Sequence, residues 1–355
     1  METINIVGPG RKTAVVLFNL GGPDGPQAVQ PFLFNLFNDR AIIGLPNPFR
    51  RMLASFISRR RAPTAQLIYE EIGGKSPIVE NTQAQAKALE SSLNGHGQVK
   101  VFPVMRYWHP MSDAVAQQVK DFAPDHVILL PLYPQFSTTT TGSSFKDWDR
   151  ASKAAGLHVP TSRVCCYPTH NEFIKAHAQL LRTYYQEAAR FGKPRILFSA
   201  HGLPEKIIKR GDPYQAQVEE TTRAVMAALD VADADAVNCY QSRVGPLKWI
   251  GPSTISELMR AGRERLPVVL VPIAFVSEHS ETLVELDIEY ADMAHENGID
   301  HYYRVPTLST HAHYIAALSD MCLKLKTGAT LASDSGARRC GPQWTQCPCK
   351  GGAGV

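Results

Sequence analysis

Arg195-Ile-Leu-Phe-Ser-Ala-His-Gly-Leu-Pro204 decides the fold. Its apolar residues run continuously instead of alternating, as a strand does when both faces of a parallel sheet are covered. The run then stops at a histidine inside a Gly-Leu-Pro turn. Five further runs have the same character: Ala14–Leu20, Val101–Met105, His126–Leu132, Ala236–Tyr240 and Val268–Phe275. Helix-compatible stretches lie between them at 81–93, 111–122, 172–191, 215–229 and 253–261. Strands alternating with helices predict βαβ units and a doubly wound, Rossmann-like α/β sheet. The runs also repeat in kind. AVVLFNLGGP, VFPVMRYWHP and HVILLPLYPQFS in the first half match RILFSAHGLP, AVNCYQSRVGP and VVLVPIAFVS in the second.

Two similar parallel-sheet domains in tandem are therefore expected, with boundaries at 12–164 and 165–326. The last helix is able to pack back on the first domain, and a flexible tail follows over 327–355. Every loop just quoted leaves the C-terminal end of a strand, the edge where open α/β sheets bind ligands. The active site is accordingly expected in a cleft between the domains.

Composition narrows the function. The chain has 355 residues, 44% of them hydrophobic, which describes a packed globular protein. Its 37 basic and 33 acidic residues give a net charge of only +4, too weak to indicate a nucleic-acid partner. No apolar run approaches the ~18 residues of a membrane span. The opening METINIVGPGRK lacks a basic stretch followed by an apolar one, so neither a secretory signal nor a long transit peptide is expected, and the reading is cytoplasmic. Gly74-Lys75-Ser76 looks like the end of a phosphate-binding loop, but that pattern needs glycine where Tyr69 stands.

The strand-end loops carry the chemistry. His201 projects an imidazole from a strand end, and its ordinary pKa of ~6.5 suits a general base near neutrality. Glu281, Glu285 and Glu289 recur every four residues, so a helix would line them on one face. Like charges at that spacing repel. Such a row is either a solvated acidic face or a ladder that conducts protons or guides a cation, and its start beside His279 at a buried strand end favours the ladder. Arg106 and Tyr107, in Met105–Pro110, place a cation among aromatics, and the Tyr240–Trp249 loop with Ser242 and Trp249 is similar. Both suit a flat anionic ligand. Ser137–Ser144 offers hydroxyls for a carboxylate or phosphate, or an ordinary helix cap. Residues 32–61 are rich in Phe, Leu and Ile and end in three arginines, as a contact with an anionic membrane surface or an apolar acidic ligand would require.

Taken in order, NLGGPD, IGGKSPI, MRYWHP, LYPQFSTTTTGSS, SAHGLP, RGDPY, QSRVGPLKW and PIAFVSEHSETLVELDIEY resemble the ferrochelatases, enzymes that insert Fe²⁺ into a porphyrin to make haem. The resemblance runs from Val15 to Leu325. It implies that His201 accepts pyrrole protons and that Glu281 lies beside it on the proton or metal path, extended by Glu285 and Glu289. His201 and Glu281 would also meet the incoming metal. It places Arg61, Arg106, Tyr107, Ser242 and Trp249 on the porphyrin, Arg61 at a propionate, and residues 32–61 at the lip of the pocket. Thr64 stands where animal members carry lysine, so propionate contacts here differ. The apolar lip favours protoporphyrin over coproporphyrin and suits peripheral contact with a membrane.

Cys340, Cys347 and Cys349 crowd the tail and read as metal ligands, for iron–sulfur or zinc. Some ferrochelatases hold a [2Fe–2S] cluster with three C-terminal cysteines and a distant fourth, and the C-x₆-C-x-C spacing here is similar to certain bacterial members. The distant ligand of animal members falls at Thr138 of this chain. The candidates here are Cys165 and Cys166; if the segment is extended, their side chains point to opposite faces and only one reaches the tail. Cys239 and Cys322 read as core thiols. Two other functions compete: a chelatase for another metal and tetrapyrrole, and a non-catalytic porphyrin or haem carrier. The lip and the tail are each candidate contacts of a homodimer.

Overall fold

The computed structural model describes residues 5–243, 245–325, 331–336 and 338–349. Of the tail expected to be flexible, 327–330, 337 and 350–355 lie outside the described residues, as does Val244 of the Tyr240–Trp249 loop. The chain falls into two compact units, Met1–Cys166 with Ile315–Arg339 and Pro348–Val355, and Tyr167–Tyr314 with Cys340–Cys347.

The first unit runs β1 (Lys12–Asn19), α1 (Val29–Phe37), α2 (Phe49–Glu70), α3 (Ile78–Leu93), β2 (Gln98–Met105), α4 (Ser112–Phe122), β3 (His126–Pro131), α5 (Thr141–Ala154) and β4 (Thr161–Cys166). The second runs α6 (Asn171–Ala188), β5 (Arg195–His201), α7 (Glu205–Lys209), α8 (Tyr214–Leu229), β6 (Asp235–Gln241), α9 (Thr254–Arg263) and β7 (Val268–Pro272). It continues with a wide-turn π-helix (Glu281–Glu289), α10 (Tyr290–Glu296) and β8 (Tyr302–Arg304). Most of α11 (Ala312–Lys324) and all of β9 (Ala332–Ser333) group with the first unit.

Both sheets are parallel, ordered β2-β1-β3-β4-β9 and β6-β5-β7-β8. The first four strands of each thus share one winding, which is the structural counterpart of the repeated sequence triplets. Chain direction across the sheet reverses between β1 and β3 and again between β5 and β7, and the strand ends there open the crevice that α/β folds use for ligands. All six strands read from apolar runs form. β3 and β7 are buried along their whole length, while β2 and β6, at sheet edges, retain partly exposed residues.

Packing follows the helical period. In the first unit Phe18 meets Phe145 and Trp148 edge-on at 5.8 and 6.1 Å between ring centres. Such pairs contribute ~0.5–1.5 kcal/mol each beyond their burial. In the second, α9 buries Thr254, Glu257, Leu258 and Ala261, an i, i+3, i+4, i+7 stripe. Its N-terminus is capped by Ser253, whose Oγ accepts the Ser256 N–H at 3.0 Å.

Candidate active site

β5 ends on His201, and its neighbour in register is Gln241, the last residue of β6. His201 Nδ1 lies 3.0 Å from Glu281 Oε2, and the two side chains are 37% and 32% exposed. No described residue engages Nε2. His279 Nε2 approaches the same Glu281 oxygen at 3.6 Å, with its Nδ1 on the Ser277 carbonyl at 3.0 Å. Desolvation opposes a charged His201, but the Glu281 charge and hydrogen bond, with Glu285 beyond, outweigh it and raise the imidazole above its ordinary value. Desolvation likewise opposes a charged Glu281, yet His201 first and His279 second hold that carboxyl well below its usual range. With Nδ1–H facing the carboxylate, Nε2 presents a lone pair to an incoming proton or cation.

The glutamates do lie on one helix, but it is π-helical, a rare form that recurs at functional sites. Ser280 makes no capping hydrogen bond to it; instead Thr282 Oγ1 bonds the His279 N–H and carbonyl, each at 3.0 Å. The three carboxylates have different surroundings. Glu285 accepts from Gln241 Nε2 (3.0 Å), the Ser242 N–H (3.0 Å), the Ser242 hydroxyl and the Tyr290 hydroxyl (2.8 Å). Four donors fill the four acceptor positions of a carboxylate. Glu289 is raised by burial and by the charge of Glu285.

Ser242 takes φ 60°, a left-handed conformation that costs ~1–3 kcal/mol for a non-glycine residue and is retained where neighbours over-determine it. Here Glu285 does so through both the Ser242 N–H and its hydroxyl. Trp249 bridges to Pro204 and lies over Gly202, where a Cβ would come within 3.3 Å of the indole and 3.0 Å of the Gln241 carbonyl. A side chain beside His201 would need the Gln241 carbonyl and the indole to give by a few tenths of an ångström. The indole N–H of Trp249 is buried without a hydrogen-bond partner among the described residues.

The first unit holds the other candidates. Tyr107 is fully buried and its hydroxyl donates to Asp39 at 2.8 Å. Arg106 donates to the same Asp39 oxygen at 2.9 Å and to Ser143 Oγ at 2.7 Å, and Ser143 donates in turn to Asp39. The hydroxyl run Ser137–Ser144 is therefore committed in part to this network, through Ser143 in the first turn of α5. Sequence reading missed Asp39; an acid in an otherwise apolar, arginine-rich segment was the available signal. Arg61, on α2, is exposed, its guanidinium 5.8 Å from the centre of the Phe37 ring. Phe49, Met52 and Phe56 stand exposed on α2, and Met52 and Phe56 line an open groove with Arg51, Arg59 and Arg60.

Cys165 Sγ lies 3.1 Å from Cys166 Sγ and 3.4 Å from Cys349 Sγ, among Phe136 and Leu331. The adjacent cysteines do not point to opposite faces. The β4–β9 pairing advances two residues on β4 for one on β9, and this bulge at Cys165 breaks the alternation. In the second unit Cys340 Sγ accepts from Gln217 Nε2 at 3.3 Å, and the tail is pinned by Gln346 N–H on the Gly211 carbonyl and Thr345 Oγ1 on that of Arg210. Among the described residues no group of three or more His, Cys, Asp and Glu is arranged to hold a metal ion. Cys239 and Cys322 are fully buried, their thiols pushed up to about 12 by burial.

Two parallel sheets with alternating helices make an α/β fold similar to that of chelatases. The sirohydrochlorin chelatase SirB of Bacillus subtilis, solved with Fe³⁺, superposes with a TM-score of 0.51 over 88% of this chain and 96% of its own, at 12% identity. That likeness concerns the fold. The ferrochelatase family model matches residues 12–325, and the chain belongs to that family. The ferrochelatase of Wolbachia sp. subsp. Drosophila simulans is 56% identical over 316 residues, covering 88% of this chain and 99% of its own length. That of Caulobacter vibrioides is 53% identical over 348 residues, covering 97% and 99%. Coverage of 97% extends past Leu325, where the family-model match ends.

Proposed function

We propose that this ferrochelatase inserts Fe²⁺ into protoporphyrin IX with release of two protons, the last step of haem biosynthesis, and that His201 and Glu281 perform it. The carrying observation is the His201–Glu281 contact at the end of β5, at the head of a π-helix that also bears Glu285 and Glu289. Two pyrrole N–H protons must leave as the metal enters. His201 Nε2 accepts a proton, and Glu281, already on Nδ1, stabilises the imidazolium that forms. The imidazole and carboxylate are also suited donors for incoming Fe²⁺, which is a substrate here. Glu285, with all its acceptor positions filled, lies along the path as a hydrogen-bonded carboxylate, and Glu289, whose pKa is raised, passes protons onward. Arg106, Ser242 and Trp249 shape the porphyrin surface, Tyr107 supports Arg106 from beneath through Asp39, and Arg61 meets a propionate.

The test is anaerobic insertion into protoporphyrin and coproporphyrin with Fe²⁺, Co²⁺ or Ni²⁺ in competition. Preference for Fe²⁺ and protoporphyrin is the expected result. Tight porphyrin binding without insertion of any metal would instead establish a carrier.

A [2Fe–2S] cluster on Cys340, Cys347, Cys349 and Cys165 completes the proposal. Its support is the Cys165–Cys349 contact and the apolar, thiol-rich setting of that pair, which suits sulfur-ligated iron. When bound, the cluster supplies a structural or redox-sensing element. The hydrogen bonds of Cys166 and Cys349, and burial after them, raise the Cys165 thiol, so loading must displace its proton. Stoichiometric labile sulfide is expected in purified protein, and zinc in its place would refute the cluster. The exposed apolar and arginine residues of α2 support peripheral contact with an anionic lipid surface on the cytoplasmic side; no described helix is long and apolar enough to cross a membrane. Vesicle co-sedimentation should weaken in a variant with Arg59, Arg60 and Arg61 replaced by glutamine, and a homodimer through this face would show instead in sedimentation without lipid.

A further inference from the structure

A nine-residue π-helix needs anchors, because its geometry is less favourable than that of an α-helix. Two come from one strand. Tyr302 and Arg304, at alternate positions of β8, lie on the same face. The Tyr302 hydroxyl donates to the Leu286 carbonyl at 2.8 Å. Arg304 grips Asp287 with both arms of its fork, Nε on Oδ1 at 2.6 Å and Nη2 on Oδ2. Its third arm, Nη1, holds Glu278 Oε1 at 2.7 Å, an oxygen that also accepts the Thr307 N–H at 2.9 Å. Glu278 precedes the π-helix and Asp287 lies within it, so one guanidinium, only 10% exposed, brackets the segment carrying Glu281 and Glu285. Arg304, the last residue of β8, pairs with Leu270 and through it stands level with Leu197, four residues before His201, so it reaches the π-helix through its side chain.

We propose that Arg304 is a positioning residue for metal insertion: by tying Glu278 to Asp287 it sets the π-helical register that presents Glu281 to His201. The proposal rests on Glu281 acting in the reaction. An arginine fork fixes two planes at once, which a lysine ammonium does not, so Arg304→Lys keeps the charge and loses the register. The second unit contains its own control. Arg195, 5% exposed at the start of β5, also joins two carboxylates, Asp235 at 2.7 Å and Glu264 at 2.6 Å, neither of them on or beside the π-helix.

The experiment compares anaerobic steady-state kinetics of Arg304→Lys, Arg195→Lys and Glu281→Gln, with thermal midpoints measured for each. Displacing a reacting group by about 1 Å costs roughly 10²-fold, so Arg304→Lys should lower kcat/KM for Fe²⁺ by about that factor. Its KM for porphyrin should change much less, because of the porphyrin residues only Ser242, through Glu285, is tied to the π-helix. Arg195→Lys should lower the thermal midpoint without this kinetic split. If the two lysine variants show the same kinetics, Arg304 is an ordinary structural ion pair and the proposal fails, provided that Glu281→Gln is impaired. If Glu281→Gln is unimpaired, the assignment of Glu281 falls first and takes the proposal with it. Should Arg304→Lys not fold, Asp287→Asn removes the helix-side partner alone. The same split at smaller size supports the proposal, and unchanged Fe²⁺ kinetics overturns it.

Discussion

Two strand-end loops contain a cation or base beside a carboxylate, and they behave as opposites. After β2, Arg106 and Tyr107 converge on Asp39, which also takes Ser143 and the Ala41 N–H; the tyrosine is fully buried and every group is spent on another. After β5, His201 has one side-chain partner, more than a third of its surface exposed, and one ring nitrogen unengaged by any described residue. Residue type alone does not separate a scaffold from a reactive site. The number of acceptor and donor positions left over does, and that measure supports the proposed pair His201 and Glu281, while Asp39 and Glu285 hold parts in place.

The comparison breaks most visibly at Asp39. Removing one partner of a buried ion pair strands the other, so Asp39→Ala should destabilise the first unit by about 3–5 kcal/mol in urea unfolding. A change near zero would mean that Arg106 and Tyr107 do not depend on Asp39. A smaller effect sharpens the other side. The raised His201 contributes stability fully below its ordinary ~6.5, lost as pH rises through its folded value. The lowered Glu281 contributes above its ordinary ~4.3, lost as pH falls through its folded value. The stability difference between wild type and Glu281→Gln should therefore be greatest between about pH 4.5 and 6.5 and shrink toward pH 9. A difference independent of pH would show that the two groups are not coupled. Solvent exposure of both keeps this effect the smaller of the two.

How legible each part was in the sequence follows from burial and separation. β1, β3, β5 and β7 announce themselves because both faces are covered, whereas β8 and β9, three and two residues long, carry too little pattern to read. The four-residue spacing of Glu281, Glu285 and Glu289 foretold a shared helix, but an apolar–acidic pattern does not distinguish an α-turn from a π-turn; the anchors Tyr302 and Arg304 do, and they lie well downstream. Asp39 was hidden for the same reason, since its partners Arg106 and Ser143 are 67 and 104 residues away. The Cys165–Cys166 alternation failed at a bulge, which depends on the neighbouring strand β9 and not on the local sequence.

The most direct measurement is a single anaerobic turnover of Fe²⁺ and protoporphyrin, followed by loss of free-base porphyrin fluorescence, in wild type and His201→Ala. With His201 as proton acceptor, wild type should lose the signal as metal enters, while the variant binds porphyrin and keeps its free-base emission, slowed by about 10²–10⁴-fold. Insertion by His201→Ala at the wild-type rate would contradict the account and move the base elsewhere.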